Sequence, residues 1–180
     1  SGNEDLTGII IPDSVISIEN MAFFFCPQLE SVHIGNGVTT IGNSAFSLCG
    51  ALSSVTLGSE VGHISSEAFS LCPNLTSINI PDSVTYIGDG AFKGCTSLAY
   101  VSMGSGVTSL SNELFLYCHD LTDIIIPDNV TSIGNKTFKN CASLTSINIP
   151  DKVTSVGADA FKGCTSLKDA IFGSKSLQHK

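Results

Sequence analysis

The 180-residue chain has no tryptophan and no arginine, and charged residues make up only 13% of it, about half the usual share. No lysine precedes Lys93. The clustered cations that displace counterions from nucleic acid are therefore missing, as is the basic patch that engages an anionic membrane surface. No apolar run approaches the roughly 18 residues of a membrane-spanning helix. No signal segment stands at the start. A chain that opens Ser1-Gly2 without Met reads as a trimmed or excised piece, so localisation is not written in these residues. Apolar content is ordinary at 42%, and the surface must be made largely of Ser, Thr, Asn and Gly. That composition suits a secreted or surface protein. The net charge of −8 is unevenly spread: residues 1–92 hold nine acids and no Lys, residues 93–180 seven acids and all eight Lys.

What the chain has instead is a repeat, the first feature to seek in any sequence. Cys26, Cys49, Cys72, Cys95, Cys118, Cys141 and Cys164 stand 23 residues apart. Three residues before each is Phe23, Phe46, Phe69, Phe92, Phe115, Phe138 or Phe161. Three residues after each is Leu29, Leu52, Leu75, Leu98, Leu121, Leu144 or Leu167, and Leu6 fits the same column. No insertion or deletion breaks the register. Residues 6–173 are thus expected to form one domain of seven full repeats and a partial eighth, with flanking residues 1–5 and a tail at 174–180.

Each unit opens L-x-x-I-x-I. Its fourth and sixth positions share one face of a strand, as Ile78 and Ile80 do after Leu75. Pro or Gly then ends the strand, and a second apolar pair, Val84 and Ile87 in that copy, crosses the opposite side. A column of Asn20, Asn43, Ser66, Asp89, Asn112 and Asn135 follows, broken by Ala158. These are strong helix N-cap residues, so the x-A-F-x-x-C after them predicts a single helical turn. One such turn is marginal alone and needs its Phe and Cys anchored inward. A 23-residue unit cannot bury its apolar face by itself, so each coil depends on its neighbours. At about 4.8 Å per strand, seven coils give a core roughly 35 Å long.

The L-x-x-I-x-I opening resembles the leucine-rich repeat. The continuation I-P-D-x-V-T-x-I-G-x-x-A-F-x-x-C, seen in Ile80-Pro81-Asp82 through Cys95 and Ile126-Pro127-Asp128 through Cys141, is similar to the BspA-like subclass of bacterial and protist surface proteins. The resemblance covers residues 6–173. It implies a leucine-rich-repeat solenoid, a β-rich α/β right-handed superhelix with a parallel concave sheet, short convex strands and single-turn helices. It also implies an extracellular or cell-surface protein that acts as an adhesin or binds host proteins. One departure concerns the asparagine that the wider family places three residues after the strand motif. That column here reads Gly37, Glu60, Ser83, Gly106, Asn129, Lys152, so no buried Asn ladder is expected there.

Side chains with chemistry are sparse. The cysteines point in parallel into the core in this register, and the column reads as free, small, buried hydrophobes. Bridges between adjacent coils satisfy the Cα distance for a disulfide and are the weaker reading. No C-x-x-C or Cys/His cluster suggests zinc. His33, His63, His119 and His179 occupy different columns. His33 has Ser31 beside it and Ser54 one coil away, but a triad needs a third group to orient the ring, and none is placed. Asp13, Asp82, Asp128 and Asp151 share the column after Pro. A calcium site needs several converging oxygens, whereas a turn residue bonding its own backbone accounts for them more simply. Asn74-Leu75-Thr76, Asn129-Val130-Thr131 and Asn135-Lys136-Thr137 match a glycosylation acceptor, though chance matches are expected in so Asn- and Thr-rich a chain. No metal, cofactor or catalytic residue is expected.

Two surfaces remain. On the strands, the outward third position carries mostly Ser, with Tyr100 and Asp123, and the fifth carries His33, Thr56, Asn79, Ser102, Ile125, Asn148 and Ile171. Protein hot spots favour Trp, Tyr and Arg, so the candidate ligand-binding residues on the concave face are Tyr100, Ile125, Asp123 and His33. Two residues after each Phe stand Phe25, Leu48, Leu71, Gly94, Tyr117, Asn140 and Gly163, with Phe24 and Leu116 in the adjoining column. If that edge is exposed, Phe25, Leu48 and Leu71 form a lateral apolar patch of the kind that marks interaction sites. The plainer reading folds them beneath the adjoining loop. The preferred function is a non-catalytic cell-surface binding module whose partner is a protein, such as an extracellular-matrix or host surface protein. Nucleic acid and membrane insertion are not expected. The alternative is a structural spacer or stalk. Raw ends of the array would also permit end-to-end self-association through unpaired strand edges.

Overall fold

The computed structural model describes residues 5–172. The expected flanking residues before them, the tail and His179 lie outside that range. The first two coils contain β1 (Gly8–Ile11), β2 (Ser17–Ile18), β3 (Ser31–Ile34) and β4 (Thr40–Ile41). The third and fourth contain β5 (Ser54–Thr56), β6 (His63–Ile64), β7 (Ser77–Ile80) and β8 (Tyr86–Ile87). The fifth and sixth contain β9 (Tyr100–Met103), β10 (Ser109–Leu110), β11 (Asp123–Ile125) and β12 (Ser132–Ile133). The seventh holds β13 (Ser146–Ile149) and β14 (Ser155–Val156), and β15 (Asp169–Phe172) opens the eighth.

Every pairing is parallel and offset by one repeat. Gly8 faces Ser31 and Ser31 faces Ser54 across the longer strands, and Ile18 faces Ile41 across the short ones. The longer strands form ladders β1-β3-β5, β7-β9-β11 and β13-β15, and the short strands form β2-β4-β6-β8 and β10-β12-β14. The architecture is a parallel-strand β-solenoid of seven coils and a further strand. Alternate strand residues are buried, as in Ser77–Ile80, which is the period-2 consequence of the pleat.

Between the two ladders lies one apolar core. Phe46, Phe69, Phe92, Phe115 and Phe138 have no exposed surface, nor do Leu52, Leu75, Leu98, Leu121 and Leu144. The seven Phe rings form a continuous stack with centroids 5.1 to 5.8 Å apart and planes within 15° of parallel. All seven cysteines are free. Each thiol from Cys49 onward donates to the carbonyl of the Phe one coil earlier: Cys49 to Phe23 at 3.2 Å, Cys95 to Phe69 at 3.1 Å, Cys164 to Phe138 at 3.0 Å. Cysteine serves here because it is a small hydrophobe that also carries a weak donor. Alkylation under denaturing, non-reducing conditions should modify seven thiols by mass spectrometry; two or more missing would contradict this column.

The single-turn helix expected after each cap residue does not form. Among the described residues there is no helix; the segment is a chain of turns. In the first coil the N–H groups of Met21, Phe23 and Phe25 donate forward to the carbonyls of Asn43, Ala45 and Ser47 at 2.8 to 2.9 Å, while Ala22 and Phe24 close local turns onto Glu19 and Met21. Met21 and Phe25 have φ of 57° and 54°, in the left-handed region that interrupts a right-handed helix. The neighbouring coil competes for alternate N–H groups and wins, because stacking supplies a partner that an isolated turn lacks. Outside the strands, the links on the sheet sides run the other way: Gly35 donates back to Ile11, Thr39 to Ile16 and Gly42 to Ile18.

The cap column has a different task from the one expected. The Asn20 side-chain oxygen accepts the Asn43 backbone N–H at 2.7 Å, Asp89 accepts that of Asn112, Asn112 that of Asn135, and Asn135 that of Ala158. Ala158 needs only an N–H to end this series. The column after Pro behaves alike. Asp13 accepts the N–H of Asn36, Asn36 that of Ser59, and Asp82 that of Ser105. These carboxylates tie one coil to the next rather than capping their own turn. The Ser105 backbone N–H, followed by its hydroxyl, holds the Asp82 carboxyl below its ordinary value.

Candidate binding surfaces

The longer strands place their third and fifth positions outward. Tyr100 and Asp123 stand directly opposite one another across β9 and β11, with Ile125 opposite Ser102. Tyr100 is about half exposed and Ile125 is 66% exposed. Beyond them the ladder is interrupted between β11 and β13. A shallow hollow of about 210 Å³ lies at that seam, lined by Asp123, Ile125, Ser146 and Asn148 among others. Tyr100, Asp123 and Ile125 therefore form one cluster.

His33 does not join it. It lies on β3, facing Ile10 on one side and Thr56 on the other. Three coils separate it from Tyr100, about 14 Å at the spacing of paired strands. It borders a separate hollow of about 350 Å³ that includes Ile10, Ser31, Ser54 and Thr56. No acid lines that hollow.

The turn edge is the second surface. Phe25, Leu48 and Leu71 are not folded beneath a loop; they are 50%, 36% and 46% exposed. Phe24 beside them is half-buried, and Leu116 is buried. Leu71 leans along the axis toward the next coil: its Cδ2 lies 2.7 Å from the point where a Cβ on Gly94 would stand. Past Gly94 the same edge becomes charged. Lys93 and Lys136 clasp Glu113 at 3.0 and 3.1 Å, and Lys139 and Lys162 clasp Asp159 at 2.9 and 3.6 Å. The hydrogen bonds from Lys93 and Lys136 hold the Glu113 carboxyl below its ordinary value, and the same bond raises Lys93.

Some exposed groups escaped the sequence reading. Ile10 is the most exposed large apolar side chain of the described strands, at 77%, and Met21 adds to the turn edge. His63 and Tyr86 meet on the short-strand face with ring centroids 5.8 Å apart; their 23-residue separation was the available signal. Of the three sequon asparagines, Asn129 and Asn135 already hydrogen-bond neighbouring coils, while Asn74 is exposed. Among the described residues no group of three or more His, Cys, Asp and Glu comes together to hold a metal ion. Among the described residues no helix is long and apolar enough to cross a membrane.

Stacked parallel strands, one leucine column and one coil per 23 residues define a leucine-rich-repeat protein. The family model for the BspA-type leucine-rich repeat region matches six copies over residues 2–122 and 108–179, and the chain belongs to that family. A comparison with curated protein sequences finds no match. Among solved structures, a Treponema pallidum leucine-rich repeat protein aligns with a TM-score of 0.87 and 28% identity, over 91% of this chain and 78% of that one. A leucine-rich cell surface protein from Faecalibacterium prausnitzii aligns at 0.54 and 22% identity, over 96% and 80%. The pneumococcal vaccine antigen PcpA aligns at 0.58 and 21% identity, over 93% and 51%. The last two likenesses concern the fold.

Proposed function

We propose that the chain is a non-catalytic, extracellular or cell-surface binding module that engages a protein partner through the face of its longer strands. The observation that carries this reading is the Tyr100, Asp123 and Ile125 cluster. A rigid aromatic, an acid and a two-thirds exposed isoleucine sit on adjacent coils, beside a hollow. Aromatic anchors concentrate binding energy at such points, and a parallel sheet lets one ligand touch several coils at once. Cell-surface placement is supported by the description of the Faecalibacterium neighbour. The surrounding Ser77, Ser102, Ser146 and Asn148 supply little desolvation energy, which gives a stalk or spacer role its support.

Screening against extracellular-matrix and host surface proteins should find a ligand whose affinity falls at least about 30-fold, roughly 2 kcal/mol, in Tyr100→Ala with Ile125→Ser. Retained affinity in that variant would remove the strand face as the site. If the wild-type chain bound nothing on a broad protein and glycan array, the spacer role would replace the binding one.

A further inference from the structure

The turn edge of the first three coils is built against its own stability. Phe25, Leu48 and Leu71 have φ of 54°, 62° and 56°. This left-handed region is uncommon for bulky side chains and cheap only for Gly and, less so, Asn. The same column in later coils uses those residues at Gly94, Asn140 and Gly163, with Tyr117 (φ 65°) the one bulky exception. The first coils thus place large apolar residues where glycine fits without strain, and then leave them a third to a half exposed. Backbone preference opposes that choice, and burial rewards it only in part. A neighbouring apolar side chain, Met21, is 54% exposed on the same edge.

Charge selects the occupant. Every Asp, Glu or Lys side chain before Lys93 is an acid. Glu19 precedes the first turn, Glu67 lies within the third, and both are exposed. Lys93, at the far end of the stripe, is held chiefly by Glu113 and also feels the charge of Glu67, which leaves Glu19 the acid farther from any cation. A second copy laid stripe to stripe would bring two acidic halves together, and like charges disfavour that contact. Anionic lipid headgroups are repelled for the same reason. A segment with an apolar face flanked by cations satisfies both features. We infer that the stripe of Phe25, Leu48 and Leu71 docks a cationic amphipathic segment of a partner protein, separately from the strand face around Tyr100.

The probe is a synthetic Leu/Lys peptide with leucines at i, i+3, i+4 and i+7 along a helix, labelled for fluorescence anisotropy. The full chain should bind it, and binding should weaken with added salt. Leu48→Asn with Leu71→Asn should reduce affinity by about tenfold or more. Asn suits the left-handed backbone, so this variant should melt no lower than wild type. Phe25→Asn is an independent second variant with the same expected direction. A Leu/Glu peptide of identical apolar spacing should not bind, and Glu19→Gln with Glu67→Gln should weaken the Leu/Lys peptide. Tyr100→Ala with Ile125→Ser should bind the peptide as wild type does, so this test and that of the strand face fail independently. Any of four results overturns the inference: no binding by wild type, unchanged binding in the Asn variants, equal binding of the Leu/Glu peptide, or loss in the Tyr100 and Ile125 variant.

Discussion

Phe92→Ala should lower the stability of the folded chain by about 3–5 kcal/mol. The ring has no exposed surface and lies between Phe69 at 5.6 Å and Phe115 at 5.8 Å. Removing it deletes contacts with both neighbouring coils at once and opens a void that rigid backbone ladders on either side cannot close. Stability in a solenoid is approximately the sum of coil terms and nearest-neighbour interfaces, so the loss falls on two interfaces. The same substitution at Phe161, stacked at 5.5 Å on Phe138 but only partly buried, should cost visibly less. Urea titration followed by circular dichroism measures both. A Phe92→Ala chain that unfolds at the wild-type midpoint would place the Phe column outside the core.

The second large effect is with alkali. Burial pushes the Cys49 thiol to about 11 and the Cys95 thiol to about 12, against an ordinary 9.0. Burial also drives Cys72, Cys118 and Cys141 well up, with like charge on neighbouring thiols adding to it. A raised pKa in the folded state means that the folded chain keeps protons which the unfolded chain releases. The stability linked to these thiols is intact below pH 9 and is lost as pH climbs through 9 toward the folded values. Each thiol contributes a slope of about 1.4 kcal/mol per pH unit. Five together approach about 7 kcal/mol per unit, comparable to the whole stability of an ordinary domain. Under reducing conditions the chain should therefore unfold cooperatively within about two units above pH 9. Cys95→Ala should flatten the slope by about one thiol's share. This comparison separates the thiols from lysine and tyrosine titration. A melting temperature that stayed level to pH 11 would mean that the thiols reach water in the folded state.

The periodic part of the fold was legible because it rests on columns. Cys, Phe and Leu recur at one spacing, and a strand pair offset by one repeat follows directly, as Ser31 facing Ser54 shows. The turn segment was not legible in the same way. Asn20-Met21-Ala22-Phe23 has the local signature of a helix start, and local propensity cannot report that Met21, Phe23 and Phe25 have a coil above them to donate to. The column of Asp13 and Asp82 was misread for the same reason: its hydrogen-bond partners are 23 residues away. On the surfaces, period 2 placed Tyr100, Asp123 and Ile125 on one face, and adjacency in the repeat brought them together. His33 shares that outward period but stands three coils away along the axis. The exposure of Phe25, Leu48 and Leu71 depends on which way the turn backbone carries its side chains, and that is set by the sign of φ, not by hydrophobicity.

The opposed directions of the inter-coil hydrogen bonds have an electrostatic consequence. An α-helix aligns its peptide dipoles and accumulates partial charge at its ends. Here the forward-donating N–H groups at Met21, Phe23 and Phe25 run against the backward-donating ones at Gly35, Thr39 and Gly42. The two rows of peptide dipoles oppose each other along the axis and partly offset one another as coils are added, so a long array gathers less partial charge at its ends than aligned dipoles would.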